Sequence, residues 1–327
     1  MKIAVSLVTW NGANFIRDCL DSLFAQTYKD FSVLIIDNGS TDDTVQIISE
    51  RYPQLRVVKH KTNLGFAKAH NQAIHWTEGD YVLVLNQDIV LEPEFLNNLV
   101  YFLDTNPEVG AVSGKLLKLQ DKQKTNYIDS LGLKISTKHQ VVDIGAGEMD
   151  EAQYDAIEEV FGVSGAAPMY RRSALKSVQY KNEFFDEDFF SYKEDVDLSY
   201  RLRYAGWKIY KVPLAVAYHN RSVVAPQNEM TLSKTFWHRR GKSRFANFYS
   251  YRNHLYLLMK NLPKQMAYLL PVLSYELFKF GYVLFCEPYH WKIWREVWIN
   301  RKKMLEKRQV IMSNSRATEA ERKKWYT

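Results

Sequence analysis

The sequence predicts an α/β fold built on a mostly parallel sheet. Short β-branched runs recur at 3–9, 31–37, 55–60 and 81–85, and segments with helical spacing lie between them. Strand–helix alternation at this spacing implies a parallel sheet with helices on both faces.

Each element follows from its own pattern. The run 3–8 is ended by Trp10, Asn11 and Gly12 before the core of an export signal forms, so it reads as a first strand. Phe15, Ile16, Leu20, Leu23 and Phe24 share one helical face. Ser40-Thr41-Asp42 is a start signal for a second helix carrying Val45, Ile47 and Ile48. A third helix runs from Phe66 to Trp76, and the fourth strand follows it. Residues 109–165 are less regular, with short strand-like runs broken by Gly, Lys and Asp. A further helix is predicted from Glu194 to Gly206, with carboxylates crowding the turn where the helix dipole favours negative charge. Two strand-like runs follow, at 208–212 and 215–219. Pro226, Gln227 and Asn228 interrupt the pattern within 221–235, which divides the chain into a domain at 1–225 and a mostly helical appendage at 226–327.

The composition narrows the class of molecule. A chain of 327 residues with 46% hydrophobic and 25% charged residues has the makeup of a globular protein, not a disordered one. Cys19 and Cys286 provide neither a disulfide framework nor a paired zinc motif, which suits a reducing compartment. The net charge of +7 is unevenly spread: residues 236–327 hold 19 Lys/Arg against 6 Asp/Glu, and residues 1–235 hold 25 against 31. A basic tail behind an acidic body calls for an anionic partner.

Residues 266–286 form the most apolar part of that tail, but Glu276 and Lys279 interrupt it. It therefore fails the criterion of an unbroken span of about 20 apolar residues. Trp291, Trp294 and Trp298 stand among Lys292, Arg295, Arg301, Lys302 and Lys303, a pattern suited to a helix lying in the headgroup region of a membrane. Packing on the first domain, or on a second copy in a homo-oligomer, is the other reading. Nucleic acid is disfavoured, because the chain carries no recognised motif for it and the body is acidic.

Ligands of open α/β sheets bind beyond the carboxyl ends of the strands. Those ends deliver Thr9, Trp10 and Asn11; Asp37, Asn38, Gly39 and Ser40; Asn63, Leu64 and Gly65; and Asn86, Gln87 and Asp88. Turn residues are expected at any one of these places, but four ends converging on one edge point to a site.

The ordered set Val8-Thr9-Trp10-Asn11, Asp37-Asn38-Gly39-Ser40-Thr41-Asp42, Asn63-Leu64-Gly65-Phe66-Ala67, Asn86-Gln87-Asp88, Ser164-Gly165-Ala166 and Glu194-Asp195-Val196-Asp197-Leu198 through Gly206-Trp207 resembles the family-2 inverting glycosyltransferases. The resemblance covers about residues 1–222 and is closest to bacterial rhamnosyltransferases of cell-surface polysaccharide synthesis. It implies a GT-A-type, Rossmann-like nucleotide-binding sheet flanked by helices. It also implies a metal-dependent, inverting transfer of a sugar from a nucleoside diphosphate to a hydroxyl. The leading donor is dTDP-rhamnose, with UDP-linked donors as alternatives. The acceptor is a polyprenyl-linked or growing glycan, and the enzyme sits on the cytoplasmic face of the cell membrane.

The roles implied follow the motifs. Thr9, Asn11 and Asp37 form the nucleoside pocket, although Asp37 also suits an Asx-turn holding Gly39. Asn63, Gly65 and Asn71 flank the diphosphate and sugar, Gly65 either for close backbone approach or as a turn residue. Asp88 offers a hard oxygen ligand to Mg²⁺ or Mn²⁺. The family has an acid at the position held here by Asn86, which makes Asn86 a hydrogen-bond partner of the donor. His219 completes the metal site with a neutral imidazole. Asp195 is the general base. Gly165, Glu194 and Trp207 face the acceptor, Trp207 by stacking unless it packs in the core, while Asp197 serves in a cap or salt bridge. A nucleotidyltransferase would carry a cationic loop after its first strand, and the loop Trp10-Asn11-Gly12-Ala13-Asn14 has no cation. A non-catalytic binding subunit would have no need of Asp88, Asp195 and His219.

Overall fold

The computed structural model describes residues 1–221, 239, 241–263 and 266–325. The predicted interruption at Pro226, Gln227 and Asn228 lies outside the described residues.

Strand β1 (Ile3–Thr9) is nearly all apolar because both its faces are covered. It pairs in parallel with β2 (Phe31–Asp37) and β4 (Tyr81–Asn86), and β2 pairs in parallel with β3 (Arg56–Lys59). The register sets Thr9 opposite Asp37 and Val8 opposite Asn86, so the carboxyl ends form one line. Helix α1 (Ile16–Phe24) buries Ile16, Cys19, Leu20 and Leu23, the face its spacing predicts. Helices α2 (Thr44–Arg51) and α3 (Phe66–His75) complete this half.

The less regular middle is more ordered than its pattern suggests. After β5 (Ile89–Leu91) and α4 (Phe95–Thr105), β6 (Val109–Gln120) is a single twelve-residue strand. It turns at Asp121 and Lys122, with φ of 48° and 62°, into β7 (Gln123–Ser130). A tight turn with both central residues at positive φ matches the twist of a hairpin. Strands β8 (Leu133–Ile135) and β9 (Val141–Asp143) pair as a small separate sheet. Next come β10 (Glu158–Glu159), β11 (Met169–Arg171) and α5 (Arg172–Ser177), followed by α6 (Glu194–Tyr204) and β12 (Lys208–His219). The runs expected at 208–212 and 215–219 are one strand with a shifted register between Val212 and Val216, where Pro213 lacks a donor. Among the described residues the main sheet runs β10-β12-β6-β11-β4-β1-β2-β3, with β5 on β12 and β7 on β6.

The tail forms α7 (Arg244–Asn261), α8 (Met266–Cys286), α9 (Lys292–Ser313) and α10 (Glu319–Lys323). Tyr256, Leu257 and Met304 of this tail share a core with Phe161, Val196, Tyr200 and Tyr204 of the body. Tyr251, Val283 and Ile293 pack the three long helices together. Buried charge crosses the same boundary. Lys260 binds Asp186, and Asp197 at 2.7 Å; Lys307 binds Asp186 at 2.6 Å and Asp188 at 2.8 Å.

Helix α8 is polar toward the protein and apolar away from it. His254 is hydrogen-bonded to Glu276 at 2.7 Å, and the Lys279 ammonium lies over the Tyr251 ring at 4.7 Å. Val272 and Val283 are buried on that same side, while Leu277 and Phe285 are 72% and 81% exposed on the other. The two charges that interrupt the apolar sequence therefore face inward. Leu269–Cys286 is, among the described residues, long and apolar enough to cross a membrane by length and composition. The tryptophans do not share one face: Trp291 and Trp298 are exposed, whereas Trp294 packs on Phe280 with ring centroids 4.7 Å apart.

Replacing Lys260 with methionine leaves buried Asp186 and Asp197 short of a cation. We expect a loss of about 3–5 kcal/mol in denaturant unfolding of the full chain. A loss below about 1 kcal/mol would show that the ion cluster does not join tail to body.

Candidate active site

The strand ends build the first part of the site. Thr9 is buried, and its hydroxyl donates to Gln87 Oε1. Asn11 holds a left-handed backbone, φ 47°. Its N–H donates to Ser40 Oγ at 2.9 Å and its Oδ1 accepts from the Thr41 N–H at 2.8 Å, which ties the first loop to the second. Asp37 divides its two oxygens. Oδ2 accepts from the Ser40 N–H at 3.2 Å, as an Asx-turn requires, whereas Oδ1 is buried with no partner. A buried acceptor left unpaired marks a place where a ligand's donor fits.

Asn38 is the hub of the next loop. Its Nδ2 donates to Asn63 Oδ1 at 2.9 Å and to the Gly65 carbonyl at 3.1 Å, and its Oδ1 accepts from the Leu64 N–H at 2.9 Å. Asn63 Oδ1 also accepts from the Gly65 N–H at 2.8 Å, so this side chain shapes the loop. Gly65 has φ 86°, and a Cβ there would stand 2.4 Å from the Phe190 carbonyl oxygen. Both the positive φ and the close approach require glycine, and the neighbour it admits is the 186–193 segment.

These loops open on a cavity of about 1010 Å³ lined by Trp10, Asn38, Asn63, Gly65, Asn86, Gln87 and Asp88, and also by Phe190–Tyr192 and Gly241–Ser243. Of the residues singled out by sequence, Asn63, Gly65, Asn86 and Asp88 line it.

A chain of charged contacts runs back from Asp88. His219 Nε2 lies 3.5 Å from Asp88 Oδ2, and His219 Nδ1 lies 2.8 Å from Asp129 Oδ2. Arg221 then joins Asp129 at 3.4 Å to Asp143 at 3.1 Å. Burial lowers the pKa of His219, but its bonds to Asp129 and Asp88 outweigh this and raise it to about 9. Burial likewise opposes ionisation of Asp129, yet His219 and Arg221 hold its carboxyl below the usual range.

Asp195 opens α6. Its Oδ2 accepts from the Gly165 N–H at 2.9 Å and its Oδ1 from the Val196 N–H at 2.7 Å. Burial raises its pKa, the two N–H groups oppose this, and the charge of Asp143 raises it further. Glu194 is buried with Oε2 unpaired, and burial together with the Asp195 charge pushes its pKa well up. Gly165 passes close to both the site wall and the acid: a Cβ there would lie 3.3 Å from Phe66 and 3.5 Å from Asp195.

Two expected residues stand elsewhere or act differently, while Asp197 keeps the salt-bridge role expected of it. Asn71 is buried with its amide fully used: Oδ1 accepts from the Phe184 and Phe185 N–H groups, and Nδ2 donates to the Phe185 carbonyl and Glu187. It positions the segment leading to Asp195. Trp207 packs over Gly110, donates to Ser177 at 2.8 Å and lines a separate cavity with Tyr204, Arg322 and Trp325. Asp197 is fully buried in a salt bridge with Arg201 at 2.9 Å.

Asp129, Asp143, Arg221 and Asn253 were missed by sequence reasoning. No local motif marks them. The turn at Asp121 and Lys122, which sends β7 back along β6, is what brings Asp129 near. Asn253 of α7 donates to the carbonyls of Phe189, Ser191 and Tyr192 at 2.8, 2.9 and 2.7 Å. Arg252 adds a bond to the Asp188 carbonyl at 2.7 Å. The tail thus fixes the cavity wall just ahead of Asp195.

The sequence model described as Glycosyl transferase family 2 matches residues 5–178. The N-acetylglucosaminyl-diphospho-decaprenol L-rhamnosyltransferase of Mycobacterium tuberculosis is 30% identical over 250 residues, spanning 67% of this chain and 76% of that protein. The poly-beta-1,6-N-acetyl-D-glucosamine synthase of Staphylococcus epidermidis is 28% identical over 218 residues, spanning 66% of this chain and 49% of that longer protein. Among solved structures, the mannosyltransferase PcManGT from Pyrobaculum calidifontis, in complex with GDP-Man and Mn²⁺, superposes with a TM-score of 0.52 at 17% identity, over 96% of this chain and 85% of that one.

The pinning of the cavity wall has its own test. Asn253→Ala takes a donor from three carbonyls; that of Phe189 keeps bonds from Arg252 and the Ser191 N–H, and those of Ser191 and Tyr192 lose theirs, each costing about 1–3 kcal/mol if left unpaired. Limited proteolysis of this variant should cut within 186–193 before it cuts elsewhere. A cleavage pattern identical to that of the parent chain would contradict the pinning.

Proposed function

We propose, on the premise that the chain belongs to glycosyl transferase family 2, that it transfers L-rhamnose from dTDP-rhamnose, with inversion, to a hydroxyl of a lipid-linked or growing cell-surface glycan. It is a glycosyltransferase with the GT-A arrangement of strands and helices. The rhamnosyl donor and polyprenyl-linked acceptor are taken from the name of the 30% identical mycobacterial relative. The observation that carries the reaction is Asp88, which lines a cavity of about 1010 Å³ and pairs with His219, together with a separate ionisable carboxylate, Asp195, in the helix that begins just after the 190–192 wall of that cavity.

Asp37 takes a donor group of the nucleoside through its unpaired Oδ1, and Asn86 bonds to the sugar or diphosphate. Asp195 removes the proton of the acceptor hydroxyl as that oxygen attacks the anomeric carbon. The bond to the diphosphate breaks on the opposite face, which inverts the centre. One carboxylate suffices, because the departing diphosphate needs no proton. The raised pKa of Asp195 makes it a stronger base than an exposed aspartate.

A divalent cation fits the donor set. Asp88 offers a hard oxygen beside His219 Nε2, and Asp129 fixes the ring from Nδ1 as outer partners of ligating histidines do; the two carboxylates keep the ring protonated near neutral pH, not neutral as the sequence suggests, and a bound cation would take the place of the Nε2 proton. Among the described residues no group of three or more such side chains forms a complete cage. Asp88 and His219 would therefore hold the ion together with diphosphate oxygens and water. When bound, Mg²⁺ or Mn²⁺ supplies neutralisation of the leaving diphosphate. The outward apolar face of α8 supports peripheral docking at the cytoplasmic face of the membrane.

The reading is tested by nucleoside diphosphate release from a panel of sugar nucleotides, with Mn²⁺, Mg²⁺ or EDTA and a lipid-linked acceptor. We expect turnover of dTDP-rhamnose that EDTA abolishes. Turnover of another donor would change the sugar, and failure to bind any nucleoside diphosphate would overturn the reading. Asp195→Asn should lower kcat about 10²–10⁴-fold with nucleotide binding intact. Asp195 works only when ionised, so the rate should fall as pH drops through its raised pKa, above the ordinary aspartate value of about 4. An acid limb at or below that value would contradict the assignment.

A further inference from the structure

A second cavity, of about 490 Å³, adjoins the first. Arg239, Lys242 and Arg244 line it beside Tyr282 and Cys286 of α8, and Lys242 lines both cavities. Arg239 is spent on Glu287, to which its guanidinium donates on both oxygens. Arg244 lies over the Tyr289 ring at 4.6 Å. Among the described residues Lys242 makes no such ion pair: the charges that act most on it are Lys193, Arg221, Arg239 and Lys279, all cations. Burial first, and then these neighbours, lower its pKa to about 8. Cations gathered around a cavity are unfavourable until an anion enters.

The backbone points to the same kind of ligand. Gly241, Lys242 and Ser243 lead directly into the N-terminus of α7, an eighteen-residue helix with no acidic residue in its first turn. Ser243 caps the Ala246 N–H, and the positive end of the helix dipole with the first-turn N–H groups that the cap does not use favours phosphate. The α8 wall identifies what the phosphate is attached to. Tyr282 and Cys286 face the pocket, while Leu273, Leu277 and Phe285 of the same helix are exposed. A ligand seated here meets cations at its head and Tyr282 and Cys286 beside it, and Phe285, next to Cys286 in the same turn, begins the outward apolar face of the helix.

We propose that this pocket seats the diphosphate of a lipid-linked acceptor, with Lys242 and Arg244 binding the phosphates and the lipid chain running along α8. Lys242, shared by both cavities, places the sugar joined to that diphosphate in the larger cavity, within reach of the donor. This rests on the reading of the chain as a transferase to a lipid-linked acceptor.

The test is equilibrium binding of farnesyl diphosphate, inorganic pyrophosphate and farnesol to the full chain, with dTDP and UDP in parallel. The parent chain should bind farnesyl diphosphate at least about tenfold more tightly than either pyrophosphate or farnesol. Lys242→Gln should weaken that binding about tenfold, and the double variant with Arg244→Gln more, since each charge-assisted bond contributes about that much. Arg244→Gln alone, at a residue that lines only the smaller cavity, should weaken farnesyl diphosphate binding and leave nucleoside diphosphate affinity unchanged, which also shows that it is folded. Equal loss of nucleoside diphosphate binding in Lys242→Gln would assign Lys242 to the donor and overturn the proposal. Pyrophosphate binding as tight as that of farnesyl diphosphate would make this a free-phosphate site and overturn the lipid assignment, as would unaltered farnesyl diphosphate binding in the variants. Failure of the transferase reading is told apart by the parent chain alone, which would then bind farnesyl diphosphate but no nucleoside diphosphate.

Discussion

Asp186, buried between Lys260 and Lys307, is the interaction on which the rest of the site depends. The segment it opens is strained: Phe190, Tyr192 and Lys193 hold φ of 61°, 73° and 71°, and none is glycine. Such a conformation persists only where the surroundings over-determine it. The surroundings here are the tail. Lys260 and Lys307 neutralise Asp186, Arg252 and Asn253 satisfy the carbonyls, and Met304 and Tyr256 complete the core beneath. Without them the wall of the large cavity and the entry to α6 have no fixed shape, and Asp195 has no fixed place.

This changes the meaning of the charge asymmetry. A basic tail behind an acidic body suggests an external anion. Part of that charge is instead answered within the chain, because Lys303 and Lys307 meet Asp188 and Lys324 meets Glu159. Lys242 makes no ion pair among the described residues and stands beside a cavity. On α8 the same principle works in reverse: Glu276 and Lys279 turn inward to partners, which leaves leucine and phenylalanine facing out.

The front half of the fold was legible because its signals are local. Short β-branched runs and period-3.6 spacing marked β1, α1, β2 and α3 to within a residue or two, and the strand ends converge as the parallel register demands. The middle was read as broken runs because β6 is long, buried along most of its length and glycine-containing, so it lacks alternation. The resemblance carried by short motifs also singled out Asp88, Asp195 and His219. It did not show that Asn71 spends its whole amide on 184–187, that Trp207 belongs to another cavity, or that Asp129, Asp143 and Arg221 link His219 electrostatically to Asp195. Those relations arise across 78 to 116 positions of chain, where no motif reaches.

The central claim is direct displacement with Asp195 as the one proton acceptor. The measurement that tests it most directly is proton NMR of the freshly formed glycosidic linkage under turnover. The account predicts an anomeric configuration opposite to that of the donor. Retention of the donor's configuration would contradict it, since that outcome requires a second displacement and a nucleophile that this account does not contain.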